Sequence, residues 1–292
     1  MNGGKRMAKP TEIELPEAGL AIPILYEDRS VMALDKPAGW LLAPDNWDRT
    51  ARNLQLALHS SLNAGEFWAR SRNLKFLRYV HRLDAETTGV ILFARSQGAL
   101  ESYTELFETR RVDKYYMAVV RGRPQSATWT CQLPLMADPD GTHRMRVAPS
   151  GTAPRPARPD DRDEMGGEDE GGSPETTFLK DAETHFRVIA EAADTTLVEA
   201  HPVTGRTHQI RVHLAAAGHP VVGDPIYGTD PAAASKGRQR LALRAWRLGY
   251  RDPFQRRPVR IEAPMAEFLR EYGFSPKLAT GVPARPRPEL PT

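Results

Sequence analysis

Between Ser150 and Pro174 the chain is rich in Pro, Gly and acidic residues and has almost no apolar side chains. Such a stretch cannot bury enough surface to offset the entropy of ordering it. Whatever fold the chain adopts must be assembled from the sequence on either side, and 150–174 is expected to be a flexible, solvated insertion. The Pro-rich tail 274–292 has the same character, and residues 1–20 are expected to be a flexible N-terminal segment. That leaves 21–273 as one domain, long enough for a sizeable core.

Charge follows the same division. From Asp160 to Glu175 there are eight acids and one base, a net of −7, and the whole chain carries +3, so the remainder carries +10. A basic body suits a polyanion, because Lys and Arg displace the counterions held on phosphates. Other classes are disfavoured. No apolar run approaches the roughly 20 residues of a membrane span, and Lys5, Arg6 and Lys9 are not followed by the apolar core of a secretory signal. Cys131 is the only cysteine, which excludes an intrachain disulfide and a cysteine-based zinc site. A reducing, cytoplasmic setting is expected.

Short apolar runs alternate with turn residues. Ser30–Leu34 reads as a strand stopped at Asp35-Lys36-Pro37, and Val90–Ala94 as a buried strand. Tyr115–Val120 reads as a strand closed by Gly122, with further strands at His185–Ala190 and Thr195–Ala200. Arg240–Tyr250 and Val259–Glu262 read as a strand pair. Helices are predicted after Thr50 (Leu54, Leu58, Leu62), after Ser96 (Leu100, Tyr103, Phe107) and after Thr207 (Ile210, His213, Leu214, Ala217, ended by Gly218). A last amphipathic helix carries Met265, Phe268, Leu269 and Tyr272. Strands joined by short turns with interspersed helices imply an α+β fold with a largely antiparallel sheet.

Two polar segments stand out. His81-Arg82-Leu83-Asp84-Ala85-Glu86-Thr87-Thr88-Gly89 connects two apolar runs. It could serve as a catalytic loop, but taken alone it reads better as a polar turn with a surface Arg–Asp pair. Thr204-Gly205-Arg206-Thr207-His208-Gln209-Ile210-Arg211-Val212-His213-Leu214 is polar for the start of an apolar-striped helix. It reads either as an anion site or as a capped helix with a solvated face. His208 and His213 lie five apart, which converges on one metal ion neither on a helix nor on a strand.

The motifs, taken together and in order, are more specific. Tyr26-Glu27-Asp28 leads to Asp35-Lys36-Pro37-Ala38-Gly39, then to His81-Arg82-Leu83-Asp84 with Thr88-Gly89. Lys114-Tyr115-Tyr116-Met117-Ala118-Val119-Val120 follows, then Gly205–His213, Gly218-His219-Pro220 and Gly223-Asp224-Pro225-Ile226-Tyr227-Gly228. This set resembles the RluA family of RNA pseudouridine synthases over most of Ile22 to Pro264. The resemblance implies the pseudouridine synthase fold, a bent, mainly antiparallel sheet with flanking helices and a central basic cleft. It implies isomerisation of uridine to pseudouridine in structured RNA (rRNA or tRNA), with no cofactor, no metal and no obligatory protein partner.

By the same resemblance Asp84 matches the catalytic aspartate, Tyr116 the tyrosine against the target base, and Arg206 the basic residue paired with the aspartate. Arg82 matches an arginine that fills the space of the flipped-out uridine, and His81, Lys36 and Arg211 are grouped with it as RNA-contacting residues. From Lys236 to Arg260 nine bases face one acid, and Arg238, Arg240 and Arg244 share strand parity as a phosphate track. Trp40 is read as core or cleft wall. Thr88 stands for a usual Ser, Ala43 for a frequent His, and Arg244 for a frequent His before Ala245-Trp246. Two other classes remain: an idle RNA-binding protein on the same fold, and a metal-dependent hydrolase using His201, His208, His213 or His219.

Overall fold

A computed structural model of the chain describes residues 8–42, 52–139, 144–149, 179–228 and 239–278. The acidic stretch 150–174, Thr50, Ala43, Arg238 and most of the Pro-rich tail lie outside the described residues.

In chain order the strands and helices are β1 (Glu12–Leu15), β2 (Leu20–Glu27), β3 (Val31–Lys36), α1 (Leu54–Asn63), α2 (Phe67–Arg70), β4 (Arg78–Tyr79), β5 (Thr88–Ala94), α3 (Gln97–Glu108), β6 (Val112–Arg121), β7 (Thr128–Cys131), β8 (Leu135–Ala137), β9 (Met145–Val147), β10 (Thr184–Glu191), β11 (Thr195–Pro202), α4 (Gln209–Ala216), β12 (Leu243–Arg251), β13 (Pro258–Glu262) and α5 (Ala266–Glu271). Ser96 caps α3 as predicted, its hydroxyl accepting from the N–H of Ala99. At α1 the cap is Asn53, whose side chain accepts from the N–H of Leu56.

The segment 1–20 is not all unstructured. Glu12–Leu15 alternates polar and apolar residues, pairs antiparallel with β2, and buries Ile13 and Leu15 in the core.

One large sheet runs β1-β2-β3-β5-β12-β6-β11-β10-β7, with β4 on β5 and β13 on β12. Every pairing is antiparallel except β5 with β12, where Arg244 faces Thr88 and Ala245 faces Gly89. The two central strands touch over that short register only; beyond it β4 continues against β5 and β13 against β12. Gly89 makes the contact possible. Its φ is +108°, and a Cβ there would lie 2.0 Å from the Ala245 carbonyl oxygen, so no other residue fits.

The sheet divides the core. Met32, Leu34, Ile91 and Phe93 point to one cluster with α1 and α2; Val31, Ala33, Val90, Leu92 and Ala94 point to another with α3. This burial of both faces explains the unbroken apolar run of β5. A third cluster joins β6, β11, β12, α4 and α5. Tyr116 packs against both this cluster and the one holding Trp40, so it sits where the halves of the sheet meet.

Candidate active site

Asp84 lies in the connection from β4 to β5, directly before the junction. The loop is fastened from beneath. Lys36, fully buried at the end of β3, donates its ammonium protons to the carbonyl oxygens of Pro37 (3.0 Å), Ala85 (2.7 Å) and Thr87 (2.9 Å). The Gly39 N–H also donates to the Ala85 carbonyl, and the Thr87 N–H to that of Asp84. Leu83 anchors the loop in the core. Burial lowers the Lys36 pKa to about 7, and the nearby Asp84 and Glu86 charges act to hold its proton.

His81 belongs to the same support. Its Nε2 accepts from the Leu92 N–H (3.2 Å), and its ring stacks on Phe107 at 4.5 Å. Burial lowers its pKa to about 3, with the Lys114 charge adding to the shift. The ring is therefore neutral. Lys36 and His81, expected to touch RNA, instead hold the loop from inside, because each is buried with its polar atoms satisfied by backbone.

The partner of Asp84 is Arg211, not Arg206. Arg211 Nη1 donates to Asp84 Oδ2 at 3.1 Å, while its Nε and Nη2 grip the two carboxylate oxygens of Asp224 at 2.8 Å each. Arg206 points away and donates through Nε to the Asp181 carbonyl. The reason is where α4 starts. Gln209 turns its side chain back onto the preceding loop, its Oε1 accepting from Thr204 Oγ1 and the Arg206 N–H, and its Nε2 donating to Glu183 O and Thr184 Oγ1. The helix begins at Gln209, later than a Thr207 cap implies, and its first turn presents Arg211 to the Asp84 loop.

Asp224 completes the pair from the loop after α4. Its side chain is fully buried and also accepts from the N–H groups of Ile226 and Tyr227. Burial alone would raise its pKa; Arg211 and the two N–H donors outweigh this and hold it below the usual carboxylate range. The Arg211 guanidinium lies 5.1 Å from the Tyr227 ring centre. Asp84 remains about a quarter exposed (side chain 26%), whereas Arg211 is nearly sealed (4%). Tyr116 is half-buried on the far side of the junction; burial, then the Asp84 charge, raises its pKa well above neutrality and keeps the phenol protonated.

Other expected contacts divide. Arg82 is exposed two residues from Asp84. Arg240 is exposed beside the Asp224 loop, with its carbonyl against Gly223. Arg244 is not available: it is buried, ion-paired to Asp35 at 2.7 Å and bonded to the Pro264 carbonyl, because the β5–β12 junction turns it inward. Asp224 and Tyr227 were quoted in the motif set without roles; their short Asp-Pro-Ile-Tyr spacing, suited to an Asp side chain accepting from N–H groups two and three residues on, was the available signal. The histidines do not converge. His213 is buried between Thr184 Oγ1 and the Leu133 carbonyl, His201 stacks on Tyr115, and His219 bonds the Arg121 carbonyl. No described helix is long and apolar enough to cross a membrane.

Known proteins resemble this chain in sequence and fold. A sequence model of RNA pseudouridylate synthase matches residues 30–216. The chain is 35% identical over 260 residues to the ribosomal large subunit pseudouridine synthase C of Salmonella typhimurium, covering 87% of this chain and 69% of that protein. It is 33% identical over 275 residues to the protein of that name from Yersinia pestis, covering 91% and 74%. Among solved structures, human RNA pseudouridylate synthase domain containing 1 superposes with a TM-score of 0.61 at 25% identity, covering 84% of each chain. Domain containing 4 superposes at 0.62 and 23% identity, covering 85% of this chain and 92% of that one, and supports the fold. With a family match over most of its length and relatives at this identity, the chain belongs to the RNA pseudouridylate synthase family.

Proposed function

We propose that this chain converts uridine to pseudouridine at a site in large-subunit ribosomal RNA, with Asp84 acting on a nucleotide flipped out of its stack. The observation that carries the proposal is the Asp84–Arg211 contact: a part-exposed carboxylate held 3.1 Å from a sealed guanidinium. The reaction breaks the N1–C1′ bond of uridine, turns the uracil, and joins C5 to C1′. Substrate and product contain the same atoms, so it requires no redox partner and no external group. A carboxylate serves the detachment step as nucleophile or by stabilising charge, and Arg211 holds it in place. Tyr116 offers a ring against the base. The base must leave the stack to be reached, and exposed Arg82 is placed to fill the space. Arg240 is positioned for phosphate contact. The ribosomal choice of substrate rests on the printed names of the relatives.

The test is a pseudouridine map of ribosomal RNA from cells with the wild-type gene, a deletion, and Asp84→Asn, repeated with purified protein and transcripts. A site lost in both the deletion and the variant, with RNA affinity unchanged, supports the proposal. Product formation by Asp84→Asn at the wild-type rate removes Asp84 from the chemistry. Full activity in EDTA separates this reading from a metal-dependent hydrolase.

A further inference from the structure

His208 occupies an uncommon backbone conformation. It precedes α4 with φ 55° and ψ 14°, a left-handed conformation, and makes no side-chain cap. Asn or Gly would adopt that conformation at lower cost. Its ring instead spans two groups of the site. Nδ1 lies 2.9 Å from the Tyr227 hydroxyl, and Nε2 lies 3.9 Å from Asp84 Oδ2.

The direction of the Tyr227 bond follows from its other partner. The Met145 N–H donates to the Tyr227 oxygen at 2.9 Å. With one acceptor position so occupied, the phenolic proton is free to be donated to His208 Nδ1. A neutral imidazole that accepts at Nδ1 carries its proton on Nε2, and that proton faces Asp84. Arg211 Nη1 and His208 Nε2 therefore address the same oxygen, Oδ2. Among the described residues no donor reaches Oδ1.

We propose that His208 is a positioning residue: with Arg211 it holds Oδ2 of Asp84, so that Oδ1 is the oxygen that meets the nucleotide. This rests on the proposed reaction at Asp84. The gap to Oδ2 is about 1 Å longer than a hydrogen bond and closes when the nucleotide enters, as catalytic contacts tighten in the bound complex. Tyr227 sets the His208 tautomer, and the β8–β9 hairpin fixes Tyr227 through the backbone of Met145.

The experiment compares full-length wild type, His208→Asn, His208→Gln and Tyr227→Phe. An unmodified large-subunit ribosomal RNA transcript is the probe for single-turnover rates, RNA affinity and thermal midpoint. His208→Asn is expected to melt at or above the wild-type temperature, to bind RNA within about twofold, and to react roughly 10- to 100-fold more slowly, the scale of a displaced reacting group. His208→Gln, which restores an Nε2–H donor, recovers most of that loss. Tyr227→Phe slows the reaction in the same direction. A wild-type rate in His208→Asn, or a rate loss that merely tracks a lowered melting temperature, overturns the proposal. A long-range 1H–15N spectrum of the free protein gives a second reading: His208 protonated on Nε2 supports the arrangement, and protonation on Nδ1 overturns it. Wild-type protein that makes no pseudouridine in this RNA refutes the substrate reading alone, and the tautomer then decides the arrangement.

Discussion

Asp84 and Arg211 stand 127 positions apart in the chain, yet Arg211 Nη1 lies 3.1 Å from Asp84 Oδ2. The guanidinium cannot swing, because Asp224 holds its other two nitrogens. Arg211→Lys keeps the charge and loses the fork. It is expected to destabilise the protein by about 3–5 kcal/mol, the cost of breaking a buried pair, and to abolish measurable product. Arg206→Ala, at a half-buried loop position turned away from Asp84, loses the bond to the Asp181 carbonyl and is expected to shift stability by only about 1 kcal/mol. Urea unfolding and single-turnover assays of both variants check the assignment; equal losses would return Arg206 to the site.

Lys36 donates to three carbonyl oxygens at once, the Thr87 bond fully buried and the other two partly so. Lys36→Met fills similar volume but removes the donor these oxygens share, leaving the Ala85 carbonyl with the Gly39 N–H alone. The expected cost is roughly 3 kcal/mol or more, with a fall in rate even well below the melting temperature, since the Asp84 loop loses its fastening. Unchanged kinetics in a destabilised variant would mean the loop holds its shape without the lysine.

His81 gives the fold an acid-sensitive element. Its folded pKa of about 3 lies below its ordinary 6.5. Between those values the unfolded chain binds the proton that the folded ring refuses, so stability rises with pH. The contribution is complete above pH 6.5 and is lost as pH falls toward 3, with an upper size on the order of 5 kcal/mol. His81→Gln keeps an acceptor for the Leu92 N–H and removes the titration. Urea unfolding at pH 4.5 and 7 should show a shallower pH dependence in the variant; identical slopes would place the acid sensitivity elsewhere.

Gly89→Ala places a Cβ 2.0 Å from the Ala245 carbonyl oxygen at a φ of +108°. Loss of roughly 4 kcal/mol or more is expected, with little soluble protein. Gly249→Ala is the control, because its Cβ meets the Asp113 side chain at 3.7 Å and the Val259 carbonyl oxygen at 4.0 Å, both ordinary contacts; a change of about 1 kcal/mol or less is expected there. Expression yield and thermal melts separate the two.

Much of the fold was legible. The apolar runs of β3 and β5, the Ser96 cap and the positive-φ Gly218 after α4 follow from local sequence. The strand at Glu12–Leu15 carried its own period-2 alternation, which the surrounding polar sequence obscured. The cations were not legible in the same way. Lys36, Arg244 and a solvated base look alike in sequence; what distinguishes them is a carbonyl cage in one case and Asp35, far away in the chain, in the other. Arg206 and Arg211 share one motif, and only the placement of Gln209 against Thr204 and Glu183 decides which of them turns toward Asp84.

The β5–β12 junction has a kinetic consequence. It pairs Thr88 and Gly89 with Arg244 and Ala245, from opposite ends of the sequence, while most other neighbours in the sheet are closer in sequence. Closing so long a loop carries its entropy cost before any reward, so this step is expected late in folding. Asp84 arrives with the early half of the chain, and Tyr116, Arg211 and Asp224 with the later half. A folding intermediate with both halves formed but the junction open would hold the components of the site without its geometry. The onset of catalysis during refolding therefore times the closure of the sheet itself.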